Sequence, residues 1–147
     1  MNTGELLIWL ALAIPLFTTA AIYAVGKMPD VRETLTLVGA IFLAVITISM
    51  AVRTGQGDPP ALVLARPLEG IELAFRLEPL GALFAAMASV LWGVNSTFSI
   101  GYMRGRREAN QTRFYVCFAL AMFGVMGIAM AANLFTLFVF YEVLTFT

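Results

Sequence analysis

The chain has 147 residues, 61% of them hydrophobic and only 12% charged, about half the charge of an ordinary soluble domain and too little to cover one with polar surface. Nine Lys and Arg balance nine Asp and Glu, which excludes a nucleic-acid binder that works through a basic field. There is no His and a single Cys, Cys117, so a disulfide framework and a Cys-based zinc site are also excluded, and the expected class is an all-α, polytopic transmembrane helix bundle.

A helix that crosses the ~30 Å hydrocarbon layer needs about 20 mostly apolar residues. The first such run covers residues 6–25, carries no charge, and has Pro15 near its middle, where a kink is expected. A cleaved signal peptide is the rival reading. It calls for a positive flank and a shorter apolar core, whereas this flank carries Glu5 and no cation. The second span covers 34–52, between Asp30, Arg32 and Glu33 on one side and Arg53 on the other. Residues 53–78 form a loop in which Gly55, Gly57, Pro59 and Pro60 mark a turn region. Ile71, Leu73, Phe75 and Leu77 then alternate with Glu72, Ala74 and Arg76. That period of two predicts a short strand, paired with 61–65 through a turn at 67–70, with an irregular ordered loop as the alternative. The third span opens at Pro79, a favoured first-turn residue, and runs to 103. The fourth covers 114–131. The fifth starts near Asn133 and is still apolar at Thr147; fifteen residues give only ~22 Å of helix, so it reads as an incomplete span.

Orientation follows from the loops. The first and third loops hold Lys27, Arg32, Arg104, Arg106, Arg107 and Arg113, while the second holds Arg53, Arg66 and Arg76. The positive-inside rule places the former in the cytoplasm and the N-terminus outside, across a plasma membrane of bacterial type. Arg104, Arg106 and Arg107 read as a topology anchor, with docking of a cytoplasmic partner or anionic lipid as the alternative.

Eight of the nine acidic residues fall at helix ends or in loops, where water is expected to solvate them. Glu142 is different. It lies nine residues into the fifth helix, ~13 Å from its start, between Leu137–Tyr141 and Val143–Phe146. An ionisable side chain at that depth is costly, and in membrane spans it is a functional candidate by default. Burial of a carboxylate without a cation disfavours its charged form, so the functional reading is a proton-binding or charge-switching site. Two structural alternatives are a neutral acid bonded to Thr145, and a side chain that the chain end leaves near water. Thr145, Tyr141 and Asn133 are the candidate supporting polar residues.

The third span has small residues at every fourth position, Gly81, Ala85, Ser89, Gly93, Thr97 and Gly101. This row reads as helix packing, although it drifts ~40° per step; the alternative is that Ser89, Asn95, Ser96 and Thr97 line a hydrated path. Met122, Met126 and Met130 read as core filling, and Cys117 as a small hydrophobe. Nothing resembles a nucleophile–base pair, a phosphate loop or a cofactor motif. No cofactor, metal or catalytic site is therefore expected on this chain; redox or hydrolytic chemistry would belong to partners.

Two stretches carry a family resemblance: Phe75-Arg76-Leu77-Glu78-Pro79-Leu80-Gly81-Ala82-Leu83-Phe84 with Ser99-Ile100-Gly101-Tyr102-Met103, and the run from Ala132-Asn133-Leu134-Phe135 to Phe140-Tyr141-Glu142-Val143-Leu144-Thr145. Together they resemble the N-terminal part of the antiporter-like membrane subunits of respiratory complex I (NADH-quinone oxidoreductase), energy-converting hydrogenases and Mrp-type sodium/proton antiporters. The resemblance implies that Glu142 matches a glutamate which, in that family, pairs with a lysine two helices later to drive proton movement. Tyr141, where many complex I members have Trp, is closer to the Mrp and hydrogenase branches, the large Mrp subunits in particular. Glu78 stands where the family has Asp. Family members run to about fourteen helices, so the chain is expected to be a fragment or one part of a split subunit. Its expected partners are the rest of that subunit, other membrane subunits and the lipid bilayer. The implied function is cation or proton translocation within a multisubunit complex; a purely structural or assembly subunit is the rival, and a self-associated channel ringed by Glu142 a further one.

Overall fold

The computed structural model describes residues 2–68, 70–106 and 108–147. Arg107 of the basic loop and Glu69 of the hairpin turn lie outside the described residues, as does the side chain of Leu68. Five helices and one hairpin follow in the order α1 (Thr3–Ala24), α2 (Pro29–Gly55), β1 (Ala61–Leu68), β2 (Ile71–Arg76), α3 (Pro79–Arg106), α4 (Gln111–Ala129) and α5 (Leu134–Thr145). Helices α1 to α4 are each long and apolar enough to cross a membrane. This is the all-α transmembrane bundle with an accessory hairpin that the composition calls for.

Local chemistry sets the boundaries. At the start of α1 the Asn2 N–H donates to the Glu5 carboxylate (2.9 Å), covering an end group that the helix itself leaves unpaired. The helix runs through Pro15, and the Thr19 hydroxyl donates back to the Pro15 carbonyl (2.8 Å). Pro29 and Pro79 occupy first-turn positions of α2 and α3, where a missing N–H costs nothing. Both ends of α2 extend beyond the uncharged 34–52 core, taking Asp30, Arg32, Glu33 and Arg53 into the helix.

The helices alternate in direction. One end of the bundle therefore gathers the α1–α2 and α3–α4 turns, and the other gathers the hairpin and the α4–α5 turn. Helix α1 packs between α4 and α2, and α2 packs along α3. Ile8, Leu43, Trp92, Tyr115, Met122 and Met126 are among the buried core side chains, while Phe17, Ile41, Phe42 and Phe98 face outward, as suits a surface solvated by lipid. Met122, Met126 and Met130 are all buried, in line with their reading as core filling.

The hairpin is antiparallel, with Leu62 opposite Phe75 and Val63 opposite Ala74, and irregularities between Val63 and Ala65 and between Ala65 and Leu68. Gly70 takes φ +85° at its turn, a conformation glycine adopts freely.

The small-residue row of α3 behaves only partly as a packing face. The buried positions are Ala82, Ala85, Ser89, Trp92, Ser96 and Ser99, spaced by three and four rather than strictly by four. Gly101 has no neighbour within 4 Å of where a Cβ would stand, and Thr97 is exposed. The cause is the 3.6-residue turn, which carries a four-residue row off the contact face within three steps. The hydrated-path alternative meets the same geometry: Ser89 and Ser96 are buried while Asn95 and Thr97 are exposed, so the four do not share one face.

Candidate functional site

Glu142 sits in the last turn of α5, ~12 Å along the axis from Leu134. Its side chain is half-buried, and among the described residues it makes no ion pair or side-chain hydrogen bond. Its direction is set by its neighbours. Thr136 and Phe140 are the buried residues of α5, and Leu144 abuts Gly124 of α4 at 3.2 Å from a notional Cβ. These three positions are four apart and share one helix face, turned toward α4 and the hairpin. Glu142 lies two residues from Phe140 and Leu144, about 200° around the helix. The inward face of α5 thus directs the carboxylate away from α4.

Phe140 anchors that face. Its ring meets Phe75 of the hairpin edge-on at 5.5 Å and Phe123 of α4 at 5.2 Å. It lies against Gly127, where any Cβ would overlap the ring. Gly81 does the same for α3, whose backbone there lies against the Ala129 carbonyl.

The supporting residues do other work. Asn133 caps α5: its side chain accepts from the Thr136 N–H (2.8 Å) and donates to the Glu72 carbonyl in β2 (2.7 Å). The Thr136 hydroxyl accepts from the Ala74 N–H (2.9 Å). The turn before α5 also pairs with β2, through Arg76 N–H to the Met130 carbonyl (2.8 Å) and Ala132 N–H to the Ala74 carbonyl (3.0 Å). The start of the Glu142 helix is thereby stitched to the hairpin. Thr145 donates to the Tyr141 carbonyl (3.0 Å), and Tyr141 is exposed. None of the three is hydrogen-bonded to Glu142.

At the opposite end lies a charge cluster that sequence reasoning missed. Glu33 is 5% exposed and Arg32 4%, which corrects the expectation that every acid except Glu142 is solvated. Arg104 of α3 donates through Nε to the Glu33 carboxylate (2.8 Å) and also pairs with Asp30. Arg32 bonds to Thr112 (3.0 Å) and Gln111 (2.9 Å) of α4 and lies over the Tyr115 ring at 5.0 Å. The Thr112 hydroxyl in turn donates to the Gly26 carbonyl (2.9 Å). Arg104 stands more than seventy positions from Asp30 and Glu33 in the chain, a separation with no local sequence signal; the run Asp-Val-Arg-Glu at a helix start was the nearest hint.

No protein-family model matches the chain. Among curated proteins it is 30% identical over 140 residues to NADH-quinone oxidoreductase subunit N of Desulforudis audaxviator, a match covering 91% of this chain and 27% of that protein. It is also 30% identical over 76 residues to an antiporter subunit, mnhA2, of Staphylococcus haemolyticus, covering 52% of this chain and 9% of the relative. A chain in the membrane-bound sulfane sulfur reductase, an archaeal respiratory membrane complex, superposes with a TM-score of 0.76 at 20% identity, over 93% of this chain and 21% of its own; that likeness is one of fold. The chain is thus similar to antiporter-like membrane subunits, and it spans about a quarter of the length of the first of these relatives.

Proposed function

We propose that this chain forms part of a proton- or cation-translocating, antiporter-like subunit in a multisubunit membrane complex, with Glu142 as its charge-switching carboxylate. One observation carries the reading: an acidic side chain within an apolar helix, turned away from its own bundle and without a cation among the described residues. Such a group suits a positive partner supplied by a neighbouring membrane chain. Opposite charges ~4 Å apart at an effective dielectric near 20 attract by roughly 4 kcal/mol. Approach of the cation favours the carboxylate, and its withdrawal favours the neutral acid. Proton uptake and release follow that movement.

The distribution of arginine supports an orientation. Lys27, Arg32, Arg104, Arg106 and Arg113 gather at the end opposite the hairpin, and that end faces the cytoplasm of a bacterial-type cell. The hairpin and the N-terminus then lie outside, and α5 enters from outside.

The test is Glu142→Gln in the assembled complex, which keeps the shape and removes the charge. Ion translocation by membrane vesicles should fall at least tenfold while the complex still assembles. A variant that assembles and translocates normally would establish the rival reading, a structural subunit. Proton flux through liposomes containing only this chain would favour a self-associated channel instead.

A further inference from the structure

Helices α3 and α4 meet at their two ends and part between them. At the hairpin end Gly81 lies against the Ala129 carbonyl; at the charged end the Gln111 side chain donates to the Met103 carbonyl (3.2 Å). Between these points a groove of about 620 Å³ runs along the outside of the bundle, walled by Leu91, Trp92, Asn95 and Phe98 of α3 and by Phe118 and Met122 of α4. Its surface is mostly apolar, yet two polar groups belong to it. Trp92 is 1% exposed and its indole N–H has no acceptor. Asn95 is exposed, and its amide is unpaired among the described residues. Asn95 stands nine residues from Arg104, ~13 Å along the axis, which is inside the hydrocarbon layer.

We infer that the α3–α4 groove is the seat of a transmembrane helix from another membrane chain, one that brings a hydrogen-bonding side chain to Asn95 and Trp92. A lipid acyl chain could fill the apolar volume, but it offers neither group a partner, and unpaired polar groups in hydrocarbon are strongly disfavoured. A helix satisfies its own backbone and can present one acceptor at the required depth, which is how polar side chains join helices in membranes. The chain spans only 27% and 21% of its long relatives, so similar bundles do pack within larger sets of helices. The inference rests on the proposed function only in taking partner membrane chains to be present.

The test uses a photoreactive benzoylphenylalanine at Leu91 or Val94, on the groove, and at Val45, on the exposed face of α2, within the whole complex in its native membrane. The expected result is a crosslink from the groove positions to one peptide, identified by mass spectrometry as part of an apolar stretch of about 20 residues in another chain. Asn95→Leu should lower that yield by roughly threefold or more, and Trp92→Phe should lower it in the same direction. Adducts to lipid alone, a peptide from a second copy of this chain, or a yield unmoved by Asn95→Leu would each overturn it. Because the readout is contact and not transport, loss of the crosslink with Glu142→Gln still inactive defeats this inference alone. A retained crosslink with Glu142→Gln fully active defeats the transport reading alone.

Discussion

At the scale of single residues, the position of Glu142 is decided by a residue without charge. Phe140 is buried against Phe75, Phe123 and the bare backbone of Gly127, and the helix geometry then turns Glu142 to the other side. Gly127 is where this arrangement is most exposed to change. In Gly127→Ala the new methyl overlaps the ring, so either Phe140 leaves its rotamer or α5 shifts. Overpacking of this kind costs typically 1–3 kcal/mol. The expected outcome is a loss of that size in a denaturant titration in mixed micelles, together with faster labelling of a cysteine placed at Glu142. Phe140→Leu at the same time should restore part of the stability, because the smaller side chain vacates the overlap. The glycines of Gly-Val-Met-Gly in α4 were visible in the sequence only as packing residues; that one of them sets the aim of a carboxylate in the next helix depends on a contact between helices.

At the scale of elements, the hairpin and α5 act as one unit. Period-two alternation announced β2, and turn residues announced its partner, because strand pairing leaves a local signature. The third partner, the 130–132 turn, left none: Met-Ala-Ala reads as the tail of a helix, and it pairs with β2 only because α4 ends against the hairpin. Two substitutions separate the components of this junction. Thr136→Val keeps the shape of the side chain but leaves the buried Ala74 N–H without an acceptor, at a cost of about 1–3 kcal/mol. Asn133→Ala removes the cap of α5, at about 1 kcal/mol. Hydrogen exchange at Ala74 should quicken in the first variant and at Thr136 in the second, with amides at the charged end unchanged. Uniform acceleration across the chain would mean that the junction is not a separate unit.

At the scale of the whole molecule, the number, order and approximate extent of the helices were legible because lipid imposes long uncharged runs. What was not legible is how the far end is closed. Arg104 and Arg32 look like topology signals in the sequence, and both are also structural: one joins α3 to α2, the other joins α2 to α4. Charge count alone cannot tell a solvated arginine from a buried one, because the difference lies in what the other helices bring. The two acids of this cluster should therefore behave unequally, although they stand three residues apart. The Glu33 side chain is 6% exposed and faces two guanidinium groups, whereas the Asp30 side chain is 86% exposed. Glu33→Ala leaves the buried Arg32 without a carboxylate, and removing one partner of a buried pair costs roughly 3 kcal/mol or more. Asp30→Ala removes a solvent-screened contact, worth at most about 1 kcal/mol. Melting of the purified protein in detergent should show a large drop for the first and almost none for the second. High salt should narrow the Asp30 difference and leave that of Glu33 in place, since screening reaches only the exposed pair. Equal losses would mean that Glu33 is hydrated in the membrane, and that α2, α3 and α4 are held together at this end by apolar packing alone.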